Sequence, residues 1–200
     1  MHNTLFNSHH RFRMSLPKTT KTERLFHGRI FDLVIEDVEE QDGNIRKCEI
    51  ISHPGGGVVI PLFDNGDILL VRQYRYPLKI LVLEAPAGKL ELNENPLDCA
   101  QRELIEETGY TAEKFMKLTA MYTTPGFCNE VLHIYLATGL KKSEHGQNLD
   151  DGEQSLTVES LPLTRAIEMI TKGEIVDGKT IVGILLAERM MKQSHSALSL

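Results

Sequence analysis

Apolar and polar positions alternate with a period of two from Glu23 onward, the pattern of a half-buried β-strand. "ERLFHGRIFDLVIEDVEE" puts Phe31, Leu33 and Ile35 on one face, and "QDGN" (41–44) supplies a hairpin turn before "IRKCEIIS". "PGGGVV" (54–59) leads through a glycine turn into the next strand. No Gly-Lys-Ser/Thr follows it, so it does not read as a phosphate loop. "VVIPLF" and "DILLVRQYRY" are two strands joined by "DNGD", where Asn65-Gly66 predicts a hairpin. "ILVLEAPAG" is a further short strand, and "FMKLTAMYTT" and "EVLHIYLATGL" flank a turn at Pro125-Gly126. "SLTVESLPL" is extended again.

Three stretches change to the helical period. Asn95 is a good N-cap, Pro96 a good first residue and Gly109 a good stop, with Leu97, Ala100 and Leu104 on one stripe between them. "TRAIEMITKG" and "KTIVGILLAERMMK" read as two more helices, the second with Leu186, Met190 and their neighbours forming an apolar face. The sum is α+β, a mixed sheet flanked by helices. The organisation expected is a flexible extension (1–20), an N-terminal antiparallel β-unit (21–53), a main domain (54–193) and a short tail (194–200). The polar run "KKSEHGQNLDDGEQ" (141–154) is long enough to be a functional loop.

Composition narrows the function. A net charge of −6 argues against a nucleic-acid partner and leaves an anionic substrate needing local Arg, Lys or metal. No apolar run approaches the roughly 20 residues that cross a bilayer. Cys48, Cys99 and Cys128 are odd in number and widely spaced, which fits reduced thiols in a cytoplasmic protein.

The acidic helix carries the chemistry. Glu103 and Glu107 are i, i+4 neighbours and Glu106 lies one turn from Glu103, a spacing at which like charges destabilise a bare helix. Arg102 can face Glu106 and offset part of this. The remaining carboxylates make a hard-oxygen site of the kind that suits Mg²⁺ with phosphate and water.

The whole frame is more specific. Gly88, five residues, Glu94, seven residues, Arg102-Glu103-Leu104, one residue, Glu106-Glu107, one residue and Gly109 match the Nudix box. Tyr110 follows where an aliphatic residue is more usual. The chain thus resembles the Nudix hydrolases, which cleave a nucleoside diphosphate linked to another group. The resemblance covers residues 22–192 and implies an α/β/α sandwich with the box as loop–helix–loop. It implies Mg²⁺, with Mn²⁺ as a substitute, held by Glu103, Glu107 and the carbonyl of Ala87. Glu106 is then a second metal-site carboxylate or an orienting group, with Arg102 as its ion-pair partner. Glu94 braces the loop, and Gly88 and Gly109 are structural.

"GRIFD" (28–32), "LLVRQYRYP" (69–77), "EAPAGKLE" (84–91) and "YTTPGF" (122–127) resemble the ADP-ribose pyrophosphatase branch, as does Pro125, sixteen residues past Gly109. That branch implies a homodimer whose N-terminal unit reaches the partner, with Arg29 and Ile30 near adenine and Glu49 also touching substrate. Cys48 stands where arginine is common. Arg75 would meet the diphosphate, and Glu130 with Thr124, Pro125 and Gly126 the terminal ribose. In the long loop Asp151 falls at the base position and Glu153 at a metal-ligand position. Aspartate is one methylene shorter than the glutamate usual there, so Asp150 and Glu153 stay open as the base. The implied reaction is hydrolysis of ADP-ribose to AMP and ribose 5-phosphate. GDP-mannose or another nucleotide sugar is the neighbouring alternative, and nucleoside triphosphates fit less well. A non-catalytic ADP-ribose sensor should have eroded carboxylates or a DNA-binding module, whereas Glu103, Glu106 and Glu107 are intact.

Overall fold

The computed structural model describes residues 16–144, 146–149 and 155–197. The chain forms two compact units, one ending at Ser52 and one beginning at His53. The first is an antiparallel sheet of β1 (Lys18–His27), β2 (Asp32–Glu39) and β3 (Ile45–Ser52) in that order. β1 starts at Lys18, ahead of Glu23 where the alternation becomes legible. Every one of its residues is exposed, so no core enforces a clean period on it. The β2–β3 turn closes through the Gly43 amide on the Glu40 carbonyl at 3.0 Å, with φ of Gly43 at 80°, a left-handed value that favours glycine.

The second unit is built on a mixed sheet. Its order is β7 (Ala87–Lys89), β4 (Gly56–Pro61), β9 (Val131–Lys142) and β8 (Tyr110–Tyr122). β4 runs antiparallel to β7 and parallel to β9. A second, antiparallel sheet orders β10 (Thr157–Pro162), β5 (Asp67–Arg75) and β6 (Ile80–Glu84). Three helices follow the predicted periods: α1 (Pro96–Thr108), α2 (Leu163–Thr171) and α3 (Gly178–Ala197). Successive residues of a strand face opposite sides, and the core obeys this. Val59, Tyr135 and Ala137 pack on Ala100 and Leu104 of α1. Val58, Ile60, Ile134 and Leu136 pack on the other side with Ile68, Leu70, Leu83, Ala166, Ile184 and Ala187. The α/β/α arrangement is the one expected. Fully buried side chains such as Leu104 and Ile184 each contribute about 1.5–3 kcal/mol.

Two local expectations need correction. Asn65-Gly66 does turn the chain, with the Phe63 amide on the Asp67 carbonyl at 2.8 Å, but β4 and β5 lie in different sheets. Only Leu62 and Ile68 bridge them. Both edges of β4 are already taken by β7 and β9, so the turn is a corner between sheets. On α3 the core face is Ile184 and Ala187 with Met191 beside them, and not Leu186 with Met190. Gly183 sets that face: a Cβ there would lie 2.6 Å from Cδ1 of Ile60, so the helix approaches β4 at this residue.

Candidate active site

Local chemistry fixes α1. Asn95 has φ −75° and ψ 138°, and its side chain accepts the Leu97 amide at 2.9 Å. Gly109 ends the helix at φ 72°, donating its amide to the Ile105 carbonyl at 2.8 Å. The helix lies close on β4 because Gly57 has no side chain; a Cβ there would stand 2.7 Å from the Ala100 amide nitrogen. That close seating buries the next carboxylates, leaving Glu103 7 % and Glu107 2 % exposed.

Arg102 gathers the acids around it. Its Nε and Nη2 reach the two oxygens of Glu94 at 2.9 and 3.1 Å, and Nη1 reaches Glu103 at 2.6 Å and Glu106 at 2.9 Å. Arg102 therefore binds three glutamates, where the sequence suggested Glu106 alone. Glu94 also accepts the Glu91 amide at 2.9 Å. The Arg102 hydrogen bond, more than the opposing effect of burial, holds the Glu94 carboxyl below its ordinary value. Glu107 is held separately, accepting the Ala87 amide at 2.9 Å. At Gly88 a Cβ would fall 1.7 Å from Oε1 of Glu103, so any larger residue there must displace that carboxylate. Burial pushes the Cys99 thiol up to about 12, which leaves it inert at neutral pH.

Three carboxylates (Glu94, Glu103, Glu106) gathered on one guanidinium, with Glu107 on the same helix, leave a surplus of hard anionic oxygen. This donor chemistry fits a divalent cation of the Mg²⁺ type. Among the described residues no three His, Cys, Asp or Glu side chains stand together as a ready-made ion cage. Glu103 is turned to Arg102, and Asp150, Asp151 and Glu153 lie outside the described residues.

A cleft of about 460 Å³ opens beside the box. Its floor crosses the mixed sheet in register, from Gly88 and Lys89 on β7 through Gly56 on β4 and Leu132 on β9 to Met121 on β8. Ala87, His53, Thr123, Glu130, Arg75, Asp177 and Lys179 also line it. Nδ1 of His53 stands 3.3 Å from Glu130. Arg75 forks onto Glu84, with Nε and Nη2 both at 2.6 Å, and Lys179 bonds the same Glu84 carboxylate.

Burial by itself would raise the Glu84 carboxyl, but Arg75 and Lys179 outweigh it and hold it below the ordinary 4.5. A lowered folded value means that the stability from this group is complete above the unfolded value and is lost as pH falls through the folded one. The urea midpoint should therefore stay level from pH 7 to about 4.5 and fall below it, as far as Glu84 and Glu94 set it. Glu84→Gln should lower the unfolding free energy over the level range by about 3–5 kcal/mol, because two cations lose their buried partner, and should make the acid drop shallower. An unchanged midpoint in that variant would sink the assignment.

Of the residues anticipated from the sequence, Ala87, Gly88, Arg75 and Glu130 line one cleft, with Glu103 and Glu107 packed against its β7 edge. Thr124, Pro125 and Gly126 are exposed in the turn after β8 and do not line it. Arg29, Ile30 and Glu49 are exposed on the N-terminal unit. Sequence reasoning missed Glu84, Lys179, Asp177 and His53. The available signal was an acid closing the apolar run Ile80–Leu83, since a charge entering a core calls for a cation.

An acid-rich helix beside a cleft lined by Arg75, Lys89 and Lys179 is an arrangement suited to a phosphate-bearing substrate and a divalent ion. A family model, the NUDIX domain, matches residues 53–181. The chain belongs to the Nudix family and is a Nudix pyrophosphatase. Enzymes of this family generally use divalent metal ions. It is 44 % identical over 167 residues to the ADP-ribose pyrophosphatase of Bacillus subtilis (strain 168), covering 84 % of this chain and 90 % of that one. A methanol dehydrogenase activator of Bacillus methanolicus is 43 % identical with the same coverage. A GDP-mannose pyrophosphatase of Yersinia enterocolitica serotype O:8 / biotype 1B is 32 % identical over 170 residues, covering 81 % and 86 %. The crystal structure of an ADP compounds hydrolase superposes with a TM-score of 0.78 at 19 % identity, covering 90 % of this chain and 97 % of that one, a likeness of fold. Among the described residues no helix is long and apolar enough to cross a membrane.

Proposed function

We propose that the chain hydrolyses the diphosphate bond of ADP-ribose, giving AMP and ribose 5-phosphate, with Mg²⁺ and with Mn²⁺ as a substitute. One observation carries this reading: Ala87 and Gly88, which abut the Glu107 and Glu103 carboxylates, line the same cleft as Arg75 and Glu130. From β7 to β8 the floor spans three strand spacings, about 14 Å, enough for a diphosphate and a sugar. The name of the Bacillus subtilis relative supports ADP-ribose.

Glu103, Glu107 and the Ala87 carbonyl would hold the ion together with Glu153, and Glu106 completes or orients that set. When bound, the ion supplies neutralisation of the diphosphate and an acidified water. Arg75 orients the phosphates and Glu130 accepts a ribose hydroxyl. Asp151 takes the proton of the attacking water, with Asp150 or Glu153 as the other candidates. The apolar side chains exposed on the N-terminal unit, Leu25, Phe26, Ile30, Phe31 and Ile45, support a homodimer in which Arg29, Ile30 and Glu49 reach the base side of the substrate. We infer a cytoplasmic location, which the free thiols of Cys48, Cys99 and Cys128 support.

The second reading keeps the chemistry and changes the sugar, on the strength of the GDP-mannose pyrophosphatase among the relatives. Purified protein with Mg²⁺ should turn over ADP-ribose faster than GDP-mannose, other nucleotide sugars and dNTPs, and should sediment as a dimer. Faster release of GMP from GDP-mannose would move the specificity, and a monomer that is fully active would remove the dimer from the site.

A further inference from the structure

We propose that Lys179, by sharing the Glu84 carboxylate with Arg75, leaves the Arg75 guanidinium less fully neutralised toward the cleft, so that Lys179 and Glu84 are positioning residues for the diphosphate. This rests on the reading of the cleft as a diphosphate site. A guanidinium forked onto a buried carboxylate is neutral as a pair and attracts an anion weakly. Arg75 is so forked, and Glu84 is only 2 % exposed. Lys179 changes the balance. Its ammonium shares one Glu84 oxygen with the Arg75 fork, and its side chain is 11 % exposed. One buried carboxylate is divided between two cations, and the trio carries a net positive charge beside Gly88.

Asp177 brings the formal charge of the four groups to zero, but it meets Lys179 and not the Arg75 fork, so the division of Glu84 between the two cations stands. Its contact with Lys179 is 3.1 Å, and the same oxygen accepts the Thr180 amide at 3.0 Å and the Thr180 hydroxyl at 2.6 Å, as the cap of α3. Its side chain is also more open to water than Glu84, which screens it. The Thr180 hydroxyl in turn accepts the Ala85 amide at 2.7 Å. This bond pins the start of α3 to the end of β6, so Lys179 meets Glu84 in a fixed register. Two segments 95 residues apart in sequence are thus joined here by polar bonds beside the apolar core they share.

The test compares wild type with Lys179→Met, Lys179→Gln and Lys179→Arg, the glutamine keeping a donor to Glu84 without the charge. Calorimetric titration with inorganic pyrophosphate and Mg²⁺ should show about tenfold weaker binding in the methionine and glutamine variants, most of it recovered by arginine. KM for ADP-ribose should rise in parallel, with kcat within about twofold. Adding Lys179→Met to Arg75→Ala should weaken pyrophosphate binding no further, because Lys179 acts through Arg75. Unchanged pyrophosphate affinity with only a lower Tm would overturn the proposal, as would an additive double variant or an arginine variant no better than methionine. A wild type that hydrolyses no nucleotide sugar would refute the ADP-ribose reading, while the pyrophosphate comparison would still decide the role of Lys179.

Discussion

Glu107→Gln should give a folded protein that hydrolyses its nucleotide sugar about a thousandfold more slowly than wild type. The substitution is nearly isosteric. Its amide oxygen can still accept the Ala87 amide that Glu107 now accepts at 2.9 Å, so the contact between α1 and β7 survives. What disappears is one negative charge on a group 2 % exposed, where water screens little. The same change at Glu106 should cost less, because that side chain is 27 % exposed and already shares Arg102 with Glu94 and Glu103. Product formation at saturating substrate, measured against Mg²⁺ concentration, separates the two. Glu107→Gln should lose kcat at every concentration with Tm within a few degrees of wild type. A variant retaining a tenth of the rate would remove Glu107 from the metal site.

The helix bearing Glu107 was legible from the sequence because everything that defines it is local. Asn95, Pro96 and Gly109 sit at its ends, and Leu97, Ala100 and Leu104 repeat at helical spacing. The strands were legible as strands for the same reason. Their partners were not, since pairing depends on edges occupied by segments far away: β4 bonds β9 some 75 residues on, and so cannot pair with β5 next to it. The α3 face failed differently. Ile181, Val182, Ile184, Leu185 and Leu186 make the helix apolar almost all round, so the period is weak, and the close approach at Gly183 decides the orientation. In the site, Glu103 and Glu107 stood out because a box with fixed spacing contains them. Glu84 and Lys179 are joined only by tertiary packing, and neither has a neighbour in sequence that hints at the other. Asp150, Asp151 and Glu153 lie outside the described residues, so their place in the chemistry rests on the sequence.

Gly88→Ala should lose activity about a hundredfold or more and destabilise the fold by about 1–3 kcal/mol, the usual cost of forcing a methyl into a filled site. The added carbon would lie 1.7 Å from Oε1 and 2.1 Å from Cδ of Glu103, far inside contact distance, so something must move. Glu103 cannot swing away freely, since Arg102 holds it at 2.6 Å and the residue is 7 % exposed. The strand cannot retreat easily either: Gly88 pairs with Gly57, and its carbonyl would sit 2.7 Å from any Cβ at Gly56. The carboxylate is the softer of the two, and its displacement would also loosen Arg102 from Glu94 and Glu106. The metal requirement should therefore rise together with the fall in kcat, which a Mg²⁺ titration of the rate reads directly. Restoring the rate with excess Mg²⁺ would show that the ion still finds its ligands and that only affinity was lost. A wild-type rate at wild-type Mg²⁺ would mean that Glu103 is not needed where it stands, and the assignment of the box carboxylates would have to pass to Glu106 and Glu107 alone.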